Sequence, residues 1–276
     1  MSKIKIYVKL KKHYILDKNL NTPKNLSNQY KILLEIKSYD ILNDKYYGPK
    51  IYDFLKCLIR QNVNITHLCN NLKTLKIIVQ NRRKYPNYEK DFAYYDTSEN
   101  KLVFDGYPNL FFLYHELFHI ASTYFSEDQT LLFSGFSFFD YNSTEMVRFG
   151  RGINEGFTQK LANEYLPNTK YKYFYIDEQE IVYKLEEIVG LKKLKTLYFN
   201  ADLLGLINEL KKYEKKDIII EFIKDVDYVH DFFGGRIEYN IDVEKKLNKI
   251  NSFLSNCINQ KNNINKYKTK RKQIKK

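Results

Sequence analysis

The sequence predicts an α+β protein with strands first, then one buried helix, then a helical C-terminal half. Three observations predict it. Residues 74–106 hold short runs, "TLKIIVQN", "DFAYYD" and "KLVFDG", rich in β-branched and aromatic residues and parted by polar turns. "GYPNLFFLYHELFHIASTYF" is a long apolar run with a proline near its start. From residue 177 onward, helical periods follow one another, separated by Gly, Asn or Lys clusters.

Taken in order, "KIKIYVKL" alternates apolar and basic residues with period two and reads as a strand. Residues 28–80 mix signals, with "YDFLKCLI" helical and "TLKIIVQN" a strand. "DFAYYD", "TSEN" and "KLVFDG" read as two strands around a turn, a hairpin over 91–106. Pro108 suits the first turn of the apolar helix that follows. "SEDQTLLFSGFSFFDYNSTEMVRFGRG" is punctuated by glycine and reads as a loop with one short strand. "INEGFTQKLANEYL" carries Ile153, Phe157 and Leu161 on one helix face and is stopped by Pro167. The expected organisation is an N-terminal α/β segment over 1–74, a main domain over 75–260 and a basic, disordered tail over 261–276.

The chain has 276 residues and a net charge of +13. Residues 261–276 hold eight Lys or Arg and no acid, leaving 38 basic and 33 acidic residues elsewhere. The tail is read as a solvated run, with nucleic acid as an unfavoured alternative partner. Cys57, Cys69 and Cys257 form no C-x-x-C pair, and so sparse an odd set points to a reducing compartment. No continuous apolar leader and no run of 18 apolar residues occurs. A cytoplasmic protein without a membrane span is therefore expected.

Chemistry concentrates in "LYHELFHIA", residues 113–121. His115 and His119 are four residues apart, so on a helix their rings share one face and can converge on one ion. Glu116 sits one residue round, beside such an ion rather than on it. The neighbours are Phe111, Phe112, Leu113, Leu117, Phe118 and Ile120. Burying two imidazoles and a carboxylate among them without partners costs several kcal/mol, and a metal satisfies all three. The H-E-x-x-H pattern has the mechanics of a zinc peptidase: two ligands and a general base.

The third ligand must come from elsewhere. The extended pattern H-E-x-x-H-x-x-G-x-x-H is excluded, because Ser122 and Phe125 stand at its Gly and last His positions. Glu155, in "RGINEGFTQKLANEY", lies 36 residues after His119 on the first turn of a predicted helix. Glu164 is the rival. Glu155 is preferred because Gly156 beside it allows close backbone packing.

His115-Glu116-Leu117-Phe118-His119 followed by Asn154-Glu155-Gly156-Phe157-Thr158 resembles the gluzincin metallopeptidases. The resemblance spans roughly residues 75–170. It implies a zincin-like catalytic domain, a twisted sheet beside the active-site helix, whose edge strand in the 91–106 hairpin lines the substrate groove. It implies one Zn²⁺ per chain, held by His115, His119 and Glu155, with Glu116 as catalytic base. Peptide or protein is then the substrate. In thermolysin-like members an Asp four residues after the ligand Glu supports a histidine ligand; that position is Gln159 here. Thr158 or Gln159 is expected to supply the support as a donor. A later His or Tyr often stabilises the oxyanion in this family, which points to His230 or to a Tyr such as Tyr228. His13 and His67 have no partner pattern.

Two other functions fit the same residues. One is a non-catalytic or regulatory zincin-fold zinc protein whose basic tail binds nucleic acid or a protein partner. The other is a structural zinc, although such sites are usually closed by four protein ligands and only three are evident.

Overall fold

The computed structural model describes residues 36–80, 93–106, 109–142, 147–236 and 241–274. The strand expected at "KIKIYVKL", Pro108 and His13 lie outside them. The described chain is a mixed α+β fold. Helices α1 (Asp40–Asn43), α2 (Tyr47–Arg60) and α3 (Thr66–Leu72) come first. Strands β1 (Lys76–Gln80), β2 (Ala93–Asp96) and β3 (Lys101–Asp105) follow, then helix α4 (Leu110–Ala121). Strands β4 (Thr123–Phe125), β5 (Leu131–Ser134), β6 (Ser137–Asp140) and β7 (Val147–Phe149) come next. The rest is helical: α5 (Arg151–Tyr165), α6 (Ile176–Val189), α7 (Leu191–Phe199), α8 (Leu203–Leu210), α9 (Lys216–Phe233) and α10 (Ile241–Ile274). None of the described helices is long and apolar enough to cross a membrane.

The expected hairpin is present, with β2 antiparallel to β3 and Tyr94 opposite Val103. Strand β1 joins β3 in parallel, so the sheet order is β1-β3-β2. This leaves β2 at an edge among the described residues. The segment 126–152 departs from the expectation of a loop with one strand. Strands β4 to β7 form an antiparallel sheet in the order β4-β5-β6-β7. The glycine that suggested a loop is a hairpin turn. Gly135 has φ +53° at the first of two residues linking β5 to β6, the position where tight hairpins favour glycine.

Helix α4 is apolar on nearly every side, as a helix enclosed by others must be. Every residue from Phe111 to Ala121 is buried. Asn109 is its N-cap, accepting from the Phe111 N–H at 2.8 Å. At its other end the Asn71 side chain of α3 donates to the carbonyls of Ile120 and Thr123, both at 2.8 Å. Terminal carbonyls that the helix cannot satisfy internally are thereby paired.

The core is continuous from Ile36 to Cys257 and runs across residue 74, where a segment boundary was placed. Phe54 of α2 meets Phe118 of α4 edge-on at 4.8 Å and Tyr165 of α5 at 5.6 Å. Phe157 and Tyr198 pack at 5.1 Å on the far side of α5. The tail also departs from expectation, because α10 continues as one helix through Ile274 rather than fraying at 261. Residues 241–276 contain no Gly or Pro, and Lys is a good helix former.

Helix α5 crosses α6 at Gly156. A Cβ there would stand 2.5 Å from the Glu178 carbonyl oxygen. Gly156→Ala gains about 1 kcal/mol of helix propensity but forces a backbone shift costing about 1–3 kcal/mol. We expect the Gly156→Ala melting temperature to fall by a few degrees. A rise would contradict the close crossing.

Candidate metal centre

Two helices build the site. Helix α4 carries His115 and His119 one turn apart, and α5 packs on α4 and brings Glu155 to them. His115 Nε2 and His119 Nε2 are 3.2 Å apart. Glu155 Oε2 is 3.4 Å from the first and 3.3 Å from the second. These three side chains form a group able to hold a metal ion. Both histidines are buried, and Glu155 is partly open to the cleft.

The surroundings set the chemistry of the donors. Gln159, one turn beyond Glu155, donates from Nε2 to the Tyr171 carbonyl at 2.9 Å. That fixes its amide, so Oε1 faces His115 Nδ1 at 3.1 Å as an acceptor. His115 Nδ1 therefore carries the proton, and its Nε2 presents a lone pair towards Glu155 and His119. The expected support role thus falls to Gln159, as acceptor rather than donor. Thr158 does not share it: its hydroxyl donates to the Asn154 carbonyl at 2.8 Å and meets the Tyr198 hydroxyl at 2.6 Å. Asn154, which precedes Glu155, lies with Nδ2 3.3 Å from His119 Nδ1 while its Oδ1 accepts from the Phe136 N–H. The β5–β6 turn thereby fixes the Asn154 amide, whose Nδ2–H group His119 Nδ1 accepts; in a neutral ring this puts the proton on His119 Nε2, and a metal bound there would displace it.

Burial pushes the Glu155 carboxyl up, but the charge of the His119 and His115 rings when protonated, and N–H donation from them, outweigh it and hold the group well below the usual carboxylate range. It is an ionised donor.

The cleft above the triad has a volume of about 490 Å³. Glu116 lines it together with the triad. Strand β2 lines it through Tyr94 and Tyr95, and the β5–β6 hairpin through Leu132 and Phe139. Strand β2 of the 91–106 hairpin thus borders the cleft.

Other expected residues fall elsewhere. Glu164, the rival ligand, pairs with Lys160 and with Lys195 at 3.0 Å. His230 is buried, with Nδ1 2.9 Å from Glu178 Oε1, and is not among the residues lining the cleft. Tyr228 is also absent from the lining and holds Lys246 over its ring at 4.8 Å. The tyrosine that lies between is Tyr175. Its ring is 5.9 Å from both the His115 and His230 rings, and it lines the cleft. Tyr175 has φ +53°, a left-handed backbone that costs a non-glycine residue energy and recurs at functional sites. No sequence signal marks such a residue among 25 tyrosines. His67 stacks on Tyr124 at 4.6 Å, and burial lowers its pKa to about 4, so it is a neutral packing residue.

Purified protein supplied with metal is expected to hold about one ion per chain, measured by mass spectrometry. His115→Ala and Glu155→Ala are expected to abolish or sharply weaken binding. Gln159→Leu is expected to weaken it about 10–100-fold, by releasing the ring of His115. Full retention in Glu155→Ala would remove that residue from the ligand set.

No protein-family model, curated protein or solved structure matches the chain, and the metal centre stands on its own geometry.

Proposed function

We propose that the protein is a zinc-dependent metallopeptidase of the gluzincin kind, with a zincin-like arrangement of α4 beside the β1-β3-β2 sheet. One observation carries this reading: three donors, two imidazole nitrogens and a carboxylate oxygen, converge at 3.2–3.4 Å from one another. Tetrahedral zinc with bonds of about 2.0–2.1 Å has donor-to-donor edges of roughly 3.3–3.4 Å. The triad matches that spacing. Three protein ligands facing a cleft are the pattern of a catalytic rather than a structural zinc.

When bound, zinc supplies Lewis acidity, which acidifies water and polarises a carbonyl oxygen. The chain's own residues do the rest. Glu116, in the same cleft, takes the proton from the attacking water and returns it to the departing amine nitrogen. Gln159 and Asn154 hold the two imidazole rings in place. In this reading the substrate peptide lies along β2, which borders the cleft at Tyr94 and Tyr95.

Glu116→Gln is the direct test. The variant is expected to keep its zinc and lose peptide hydrolysis by a factor of about 10²–10⁴. Turnover equal to wild type would end the assignment of Glu116 as base.

A second reading rests on α10. Residues 262–267 are exposed around the whole helix, and one of the eight basic residues of 261–276, Lys266, stands among them. Such a helix suits a polyanion, and a regulatory zinc protein with a nucleic-acid-binding arm is the alternative function. It predicts salt-sensitive RNA or DNA binding that disappears when 261–276 is removed. Hydrolysis that survives the same truncation would favour the peptidase.

A further inference from the structure

Beside the metal centre the cleft carries a cluster of cations that the hydrolytic chemistry does not use. Arg148 of β7, Arg151 of α5 and Arg236 after α9 all line it. Arg151 stands four residues before Glu155 on the same helix. The cluster therefore begins one helical turn, about 5–6 Å, from the third ligand. Arg151 Nη2 donates to Asp231 Oδ1, and Arg236 Nη1 donates to the same oxygen at 3.2 Å. Two guanidinium groups thus share one carboxylate, and Asp231 is not itself a lining residue. A second carboxylate, Asp227, lies beneath. It accepts from the Gly150 and Gly152 N–H groups at the start of α5.

Arg148 adds a third positive charge. Its guanidinium lies 5.7 Å from the centre of the Phe139 ring, on the neighbouring strand. Burial, then the nearby Arg151 and Arg236, lower its pKa, which is the mark of cations held together. Arg148 and Arg236 are exposed and Arg151 is largely enclosed. The cluster is thus anchored at its base and open at its rim. Asp96, Glu116 and Glu155 also line the cleft, but Glu155 belongs to the metal centre, and Asp96 accepts from the Ser98 N–H and hydroxyl. Guanidinium groups gathered this way match a carboxylate, which they bind through paired N–H···O bonds.

We propose that Arg148, Arg151 and Arg236 form a carboxylate-binding subsite of the cleft, so that the preferred substrates are peptides with a carboxylate close to the cleaved bond. This rests on the peptidase reading given above. The carboxylate is either an acidic side chain or the peptide's own C-terminus; the chemistry recognised is the same.

The test uses four labelled peptides of one sequence, with Glu or Gln at a central position and a free or amidated C-terminus. Binding is followed by fluorescence anisotropy to zinc-supplied Glu116→Gln protein, which leaves the peptides uncut. At least one carboxylate-bearing peptide is expected to bind tenfold or more tightly than the Gln amide. The preference is expected to shrink to about twofold when Arg148→Gln and Arg236→Gln are added, with melting curves confirming that the fold persists. It is also expected to weaken with added salt. Which carboxylate matters identifies its source. Equal affinity for all four peptides overturns the subsite, as does a preference that survives loss of both arginines. Cleavage by wild-type protein separates the two ideas. Equal cleavage of all four peptides overturns the subsite and leaves the peptidase standing. A binding preference without cleavage of any peptide does the reverse.

Discussion

Helix α4 buries two imidazoles and a carboxylate on the same element that carries Phe111, Phe112, Leu117 and Phe118. Polar groups buried without partners cost several kcal/mol, so the rest of this region has to answer that demand. The answer comes from α5. It presents Glu155 to both Nε2 atoms, Gln159 to one Nδ1, and Asn154 to the other. Gly156 removes the side chain that would hold α5 away from α6. The β5–β6 hairpin then closes on Asn154 through the Phe136 N–H. Each of these contacts is intelligible as part of one arrangement that keeps three donors pointed at a common centre.

The constraint also explains how the His115 ring is prepared. A neutral histidine has one protonated and one free nitrogen, and only the free one binds a metal. The Gln159 amide is pinned by the Tyr171 carbonyl, so its oxygen accepts a hydrogen bond from the His115 Nδ1–H. A glutamine does here what a carboxylate does in thermolysin-like sequences. It orients the ring without placing a further negative charge beside it. The Tyr175 ring stacks beside the same ring at 5.9 Å, and His230, paired with Glu178, lies at the same distance from Tyr175. The buried His230–Glu178 pair therefore acts through packing, one ring removed from the cleft.

Much of the centre was legible because its signals are local. His115 and His119 are four residues apart, and Glu155 sits in a pentapeptide with Asn154 and Gly156. Helical geometry turns such spacings directly into shared faces. The β2–β3 hairpin was legible for the same reason. What escaped is what depends on contacts between distant segments. Gly135 and Gly150 read as loop punctuation, yet the chain between Leu131 and Phe149 pairs into a sheet, because cross-strand contacts outweigh local signals. The continuous helix from Ile241 to Ile274 was masked by its charge, since a like-charged run reads as solvated whether or not it is helical. Tyr175 and the three arginines come from separate parts of the chain, and no spacing links them.

Helix α5 shows how one element serves both core and site. Ile153, Phe157 and Leu161 form one row and are buried. Arg151, Glu155 and Gln159 form a second row at the same four-residue spacing. Rows of this kind run side by side along a helix, so neither interrupts the other. The apolar row fixes where the helix lies through Phe157, which packs on Phe136 of the β5–β6 turn and on Tyr198 of α7. The polar row then has no freedom of its own: Gln159, Glu155 and Arg151 follow one another at about 6 Å per step. Ring support, candidate metal ligand and proposed anion subsite are therefore set in register by the same packing. A shift of α5 along its axis would disturb all three together, and this is why the close crossing at Gly156, remote from any reacting atom, belongs to the function of the site.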